Sequence, residues 1–192
     1  MDMNRKKLLP VLAVAAVLAV ILAASGVGRG DMTERHVLVA YFSATGTTKS
    51  VAETAATALR ADVFRIVPEE PYTDEDLGHG ADARVTREQA DPASRPAIQN
   101  RVENWDQYDT VVIGYPIWGG GAPRIVSTFL DSYDFAGKKV AVFCTSGSSG
   151  VEESAENIKA QLSGANFLSG RRFEADASVA DVRAWAVEAG IE

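Results

Sequence analysis

The sequence predicts an α/β fold, a doubly wound parallel sheet with helices on both faces. Three observations carry this. Short apolar, β-rich runs alternate with amphipathic segments along residues 37–190. Alternation of that kind builds βα units, which pair their strands in parallel and need helices over each face. Three of the runs also pass directly into loops of small or hydroxyl-bearing residues, the kind of loop that gathers at the carboxyl edge of such a sheet.

Taken in order, Val37–Phe42 (VLVAYF) reads as a buried strand. Val51, Ala55, Ala58 and Leu59 then form a helical stripe within Val51–Arg60. Val63–Val67 is the second strand, stopped by Pro68. Residues 78–96 are the least regular stretch, with one short helix expected over Asp82–Ala90. Thr110–Gly114 and Val140–Cys144 are the third and fourth strands. Each precedes a helix, the first marked by Ile125, Val126, Phe129 and Leu130, the second by Ala155, Ile158 and Leu162. Phe167–Leu168 is a weak fifth strand. The last helix starts near Ser178, with Asp181 three residues on as a capping partner, and presents Val182, Trp185 and Ala189 on one side.

The turn after the first strand, Ser43-Ala44-Thr45-Gly46-Thr47-Thr48, is the most informative segment. The first N–H groups of a helix lack internal partners, and its dipole places about half a positive charge there. Ser43, Thr45, Thr47 and Thr48 add hydroxyl donors, and Gly46 lets backbone wrap closely around a ligand. A terminal phosphate fits such a turn; an ordinary N-cap cluster is the alternative. Two nucleotide loops fail on named residues. A Walker A loop needs glycine where Ser43 and Thr48 stand, and the G-x-G-x-x-G fingerprint fails because Gly46 stands alone.

A second loop, Tyr115-Pro116-Ile117-Trp118-Gly119-Gly120-Gly121, offers a large aromatic face beside a glycine run. A third, Thr145-Ser146-Gly147-Ser148-Ser149-Gly150, offers small residues whose N–H groups can meet the edge of a polar ring. Hydroxyls, an aromatic face and a polar edge together suit a phosphorylated, planar heteroaromatic ligand. Core packing for Trp118 and simple helix capping for the third loop are the competing readings.

Residues 1–30 read as a separate segment. Arg5, Lys6 and Lys7 precede an apolar run, residues 8–24, followed by Ala23-Ala24-Ser25-Gly26 and a glycine-rich link to Gly30. That is the layout of an export signal or an uncleaved membrane anchor, and the expectation is an exported or membrane-anchored protein. Ser25 stands where a lipoprotein box has its acylated cysteine, so no lipid anchor is inferred. Residues 31–192 form the second unit. The leading segment carries four basic residues and one acid, so without it the formal charge moves from −7 to −10. Such an acidic domain excludes nucleic acid as the expected partner and favours basic protein surfaces, or serves solubility alone. Cys144, the only cysteine, ends an apolar run and reads as a core residue. His36 and His79 lie outside the three loops and read as surface residues; Tyr72 with Asp74-Glu75-Asp76 reads as a solvated acidic loop, with a partner-docking surface as the alternative. No residue set marks a metal site or a catalytic group.

The segments YFSATGTTKSVAE, GYPIWGGGAPRIVSTFL, FAGKKVAVFCTSGSSG, DVRAWAVEAG and RPAI give the chain, from about His36 to Ile191, a close likeness to one family. It resembles the flavodoxins, in particular a short-chain bacterial flavodoxin-like branch. The resemblance implies a flavodoxin-like five-stranded sheet in the order 2-1-3-4-5 and non-covalently bound FMN. It assigns the phosphate to Ser43, Ala44, Thr45, Gly46, Thr47 and Thr48. Pro116, Ile117, Trp118 and Gly119 would flank the isoalloxazine ring, with Thr145, Ser146, Gly147 and Gly150 at its other edge. Two departures stand out: Gly119 replaces a second bulky residue after the tryptophan, and the third loop lacks an aromatic. One flavin face is therefore expected to be open.

Three functions follow as expectations. The first is a one-electron carrier that hands electrons to redox partner proteins. The second is an FMN-dependent reductase acting on a small acceptor such as a quinone, near a membrane through residues 8–24. The third is a cofactor-free interaction module, against which the intact hydroxyl turn argues.

Overall fold

The structure is a computed structural model and describes residues 36–78 and 80–191. Residues 1–30, with the expected signal or anchor, and His79 lie outside the described residues. No helix among the described residues is long and apolar enough to cross a membrane.

Five parallel strands form one sheet in the order β2-β1-β3-β4-β5. They are β1 (Val37–Tyr41), β2 (Asp62–Arg65), β3 (Thr110–Pro116), β4 (Lys139–Thr145) and β5 (Asn166–Phe173). The helices are α1 (Thr47–Leu59), α2 (Arg84–Ala90), α3 (Arg124–Asp131), α4 (Glu152–Gln161) and α5 (Val179–Ala189). Side chains on a strand alternate between faces, so each central strand feeds two cores. Leu38, Ala40 and Phe42 point into one, with Ile125, Phe129 and Leu130 of α3 and Ala155 and Ile158 of α4. Val37, Val39 and Tyr41 point into the other, with Val51, Ala55 and Leu59 of α1 and Val182 and Trp185 of α5. Each fully buried Leu, Ile or Phe in these layers contributes about 1.5–3 kcal/mol. Cys144 lies wholly within the first core, where burial pushes its thiol up to about 11, out of the reactive range.

The α5 N-terminus matches its sequence signature. Ser178 Oγ accepts from Asp181 N–H at 3.2 Å, and Asp181 Oδ2 accepts from Ser178 N–H at 2.9 Å, a reciprocal capping box. Ser178→Ala should lower stability by about 1 kcal/mol; the midpoint of urea unfolding measures this, and an unchanged midpoint would remove the cap from the stabilising terms.

Several boundaries differ from expectation. β2 covers Asp62–Arg65, earlier than Val63–Val67, and it is an exposed edge: Val63 is 49% accessible. β5 runs on to Phe173, well past Leu168, through Ser169, Gly170, Arg171 and Arg172. Edge strands with one partner tolerate polar residues, which removes the apolar signal. α1 begins at Thr47, so the hydroxyl turn opens the helix as expected.

Candidate functional site

Parallel register brings the strand ends level. Tyr41 pairs with Gly114, Pro116 with Thr145, and Thr145 with Phe173. The loops after β1, β3 and β4 therefore open at one edge, where a cleft of about 640 Å³ lies between them. Its walls include Ser43, Ala44, Thr45, Thr47, Thr48, Pro116, Ile117, Trp118, Gly119, Thr145, Ser146 and Gly147, so twelve of the fourteen residues expected from the sequence meet in one cavity. Gly46 and Gly150 do not line it. Gly46 is the helix N-cap, and Gly150 lies beside the movable carboxylate of the exposed Glu152.

The turn has the geometry of an anion cradle. Gly46 has φ +98°, a left-handed conformation that β-carbon-bearing residues avoid, and no side chain caps α1. The first N–H groups of α1 thus lack a side-chain partner. Ser43 is buried, and its Oγ accepts from Gly46 N–H at 3.1 Å, which fixes the turn. Thr48 is also buried; its Oγ1 shares a hydrogen bond of 2.8 Å with Thr145 Oγ1, joining the first loop to the third. The exposed hydroxyls are those of Thr45 and Thr47. All four residues line the cleft; two of the hydroxyls are hydrogen-bonded within the protein and two have no partner among the described residues. Lys49 is not among the cleft-lining residues; it pairs with Glu53 at 3.7 Å on the exposed face of α1.

The tryptophan loop is a tight turn. Trp118 N–H donates to Gly121 O at 2.9 Å and Gly121 N–H returns to Trp118 O at 3.0 Å, with Gly119 and Gly120 both at positive φ. Two successive positive φ angles are what glycine supplies in a hairpin turn. Trp118 is half-buried and combines the two sequence readings. Its ring meets Phe42 edge-on at 5.3 Å and Tyr72 at 5.2 Å, and it also lines the cleft. Tyr72 is thus a support for Trp118, not part of a solvated acidic surface. Its hydroxyl donates to Glu88 Oε2 at 2.6 Å, the Arg84 guanidinium lies 4.3 Å from its ring centroid, and burial together with the Glu88 carboxylate raises its pKa.

Sequence reading missed a whole wall of the cleft. Leu77, Gly78, Val85, Thr86 and Gln89 line one side, and Phe173, Glu174 and Ala175 another. The second group follows from the overlooked end of β5. The first belongs to α2 and the turn before it; α2 buries no residue and so has no apolar stripe to find. Polar contacts hold it instead. Gln89 Nε2 donates to Trp118 O at 2.8 Å and Ala122 O at 3.3 Å, while Arg124 donates to Gln89 O at 2.9 Å. Those two carbonyls fix the carboxamide orientation and leave Gln89 Oε1 buried without a partner. His36 is exposed, as expected. Among the described residues there is no cluster able to hold a metal ion.

The chain is similar to known proteins. The flavodoxin family model matches residues 36–189. A candidate flavoprotein from Bacteroides eggerthii DSM 20697 is 40% identical, with a TM-score of 0.79 over 82% of this chain and 99% of its own. One from Bacteroides uniformis ATCC 8492 is 41% identical, with a TM-score of 0.76 over 80% and 98%. A Lactobacillus acidophilus NCFM flavoprotein in complex with FMN, 24% identical, shares the fold with a TM-score of 0.62 over 72% and 93%. No curated protein sequence matches the chain.

Proposed function

Because the chain belongs to the flavodoxin family, we propose that it binds FMN in this cleft and works as an electron-transfer protein. One observation carries the reading: an uncapped helix N-terminus with two free threonine hydroxyls opens onto the same cavity as the Trp118 ring. The residues present fit the group. The phosphate would be held by the α1 N-terminal N–H groups with Thr45 and Thr47, and the ring by Trp118 and Ile117 on one side and Ser146 and Gly147 at an edge. The family resemblance and the FMN complex of the Lactobacillus acidophilus flavoprotein support the choice of FMN.

Bound FMN supplies one- and two-electron redox chemistry; the protein sets how readily each electron is accepted. No lysine or arginine is among the described cleft-lining residues, and the one charged group among them is Glu174, itself paired with Arg172. An acidic domain disfavours added negative charge on the ligand. That makes the second electron harder to add than the first, and each roughly 59 mV of separation is a tenfold preference for single-electron steps. The Trp118 support through Phe42 and Tyr72 keeps the ring platform rigid, which suits transfer without rearrangement. Redox proteins with basic faces are the partners an acidic domain of this kind would attract.

A reductase reading rests on a different observation. The cleft continues beyond the three loops to Leu77, Val85 and Thr86, and the third loop brings no aromatic over the ring. That leaves space for a second planar molecule such as a quinone. An anaerobic, stepwise reduction of the full chain with added FMN, followed by absorbance, separates the two. Carriage predicts two well-resolved midpoint potentials; a single two-electron transition favours the reductase and calls for quinone acceptors. A chain that never retains FMN would sink both.

A further inference from the structure

A smaller cavity of about 160 Å³ shares Ser43 and Ala44 with the main cleft and is otherwise lined by Phe42, Arg65, Val67, Pro68, Pro71 and Tyr72. We propose that Arg65, whose cavity shares Ser43 and Ala44 with the hydroxyl turn, is a binding residue for the phosphate: the countercharge absent from the described lining of the main cleft. The inference rests on the FMN reading and assigns a residue that neither the turn's sequence nor its hydroxyls pointed to.

The placement comes from the sheet. Arg65 ends β2 and is in register with Tyr41 of β1, two residues before Ser43. Ile66 N–H then donates to Tyr41 O at 2.7 Å, which holds the end of β2 against the start of the turn. The guanidinium is close enough to act on the Tyr41 phenol, opposing the rise in pKa that burial causes. Unlike Arg84, Arg95, Arg171 and Arg172, which are all in ion pairs, the Arg65 side chain has no ion pair or hydrogen bond with a described residue. An unpaired guanidinium in so acidic a domain, at a cavity that shares the turn's wall, is poised for an external anion. A phosphate dianion matches its planar, forked donor set.

The test compares FMN with riboflavin, which has the same ring and no phosphate, on the full chain by fluorescence quenching. R65Q should weaken FMN about tenfold and leave riboflavin unchanged, with R65K recovering part of the loss. The wild-type affinity for FMN should also fall more steeply with added salt than that of R65Q. Equal FMN affinities in wild type and R65Q overturn the proposal. So does an equal loss for FMN and riboflavin, which would mean that Arg65 only supports the fold. If the wild type retains no FMN, the functional reading fails on its own account. Inorganic phosphate then decides the matter for Arg65: thermal protection of wild type but not R65Q sustains the role, and equal protection, or none, overturns it.

Discussion

Replacing Gly114 with valine should cost the domain about 3 kcal/mol, at the upper end of the range for overpacking a core. Gly114 sits in the middle of β3, paired with Phe143 on β4, and a β-carbon there would stand 2.1 Å from Phe143 Cζ. No rotation of that ring within its site relieves so short a distance. Phe143 is fully buried, with Phe173 at 6.1 Å and Trp185 beyond it, 5.5 Å from Phe173. The ring must therefore displace the α5 side of the core or leave it. For a domain of this size the melting temperature should fall by about 10 °C. The double variant G114V/F143A gives the decisive control. Phe143→Ala alone should cost about 3–5 kcal/mol, but it removes the atoms that the introduced valine would meet. The double variant should then lose clearly less than the sum of the two. Additive losses would show that the clash is not the cause.

Thr47→Glu should reduce FMN affinity by at least about 100-fold while leaving the fold intact or slightly more stable. Thr47 is the first residue of α1, directly after the uncapped Gly46. A carboxylate at that position meets the positive end of the helix and stabilises it by about 0.3–1 kcal/mol. Under the FMN reading the same carboxylate would occupy the place of the phosphate and repel it, at a cost of several kcal/mol for a like-charge pair. Stability and binding should thus move in opposite directions, which a general disruption of the turn cannot produce. Titration with FMN and riboflavin, alongside thermal unfolding, reads both effects. FMN affinity within about twofold of wild type would rule out the turn as the phosphate site.

Legibility in the sequence followed burial. β1, β3 and β4 are buried on both faces and appear as unbroken apolar runs, so their positions and the loops after them could be read directly. The Ser178–Asp181 cap was visible because its chemistry is local. β2 and the second half of β5 were misjudged because an edge strand needs no continuous apolar run. At Arg171 and Arg172 the polar residues of β5 hid a strand that carries Phe173, Glu174 and Ala175 to the cleft. α2 was bounded only approximately, and its role was missed. Its attachment runs through Gln89 to the Trp118 carbonyl, Glu88 to Tyr72, Arg84 to the Glu70 carbonyl, and Arg124 to the Glu88 carbonyl, contacts that leave no apolar pattern in the sequence. Thr48 was grouped with the ligand-facing hydroxyls, and only the fold reveals its partner 97 residues away.

That partnership also gives the cleft a sense of direction. The Thr48 and Thr145 hydroxyls hold two protons between them, and their mutual hydrogen bond uses one. If Thr48 turns its proton toward an acceptor in the cleft, Thr145 must donate to Thr48, and the Thr145 oxygen is then left as an acceptor. If Thr145 donates outward, the roles reverse. A ligand that places an acceptor against Thr48 is thereby asked for a donor against Thr145, so under the FMN reading the two loops would recognise one polarised unit rather than two independent pieces.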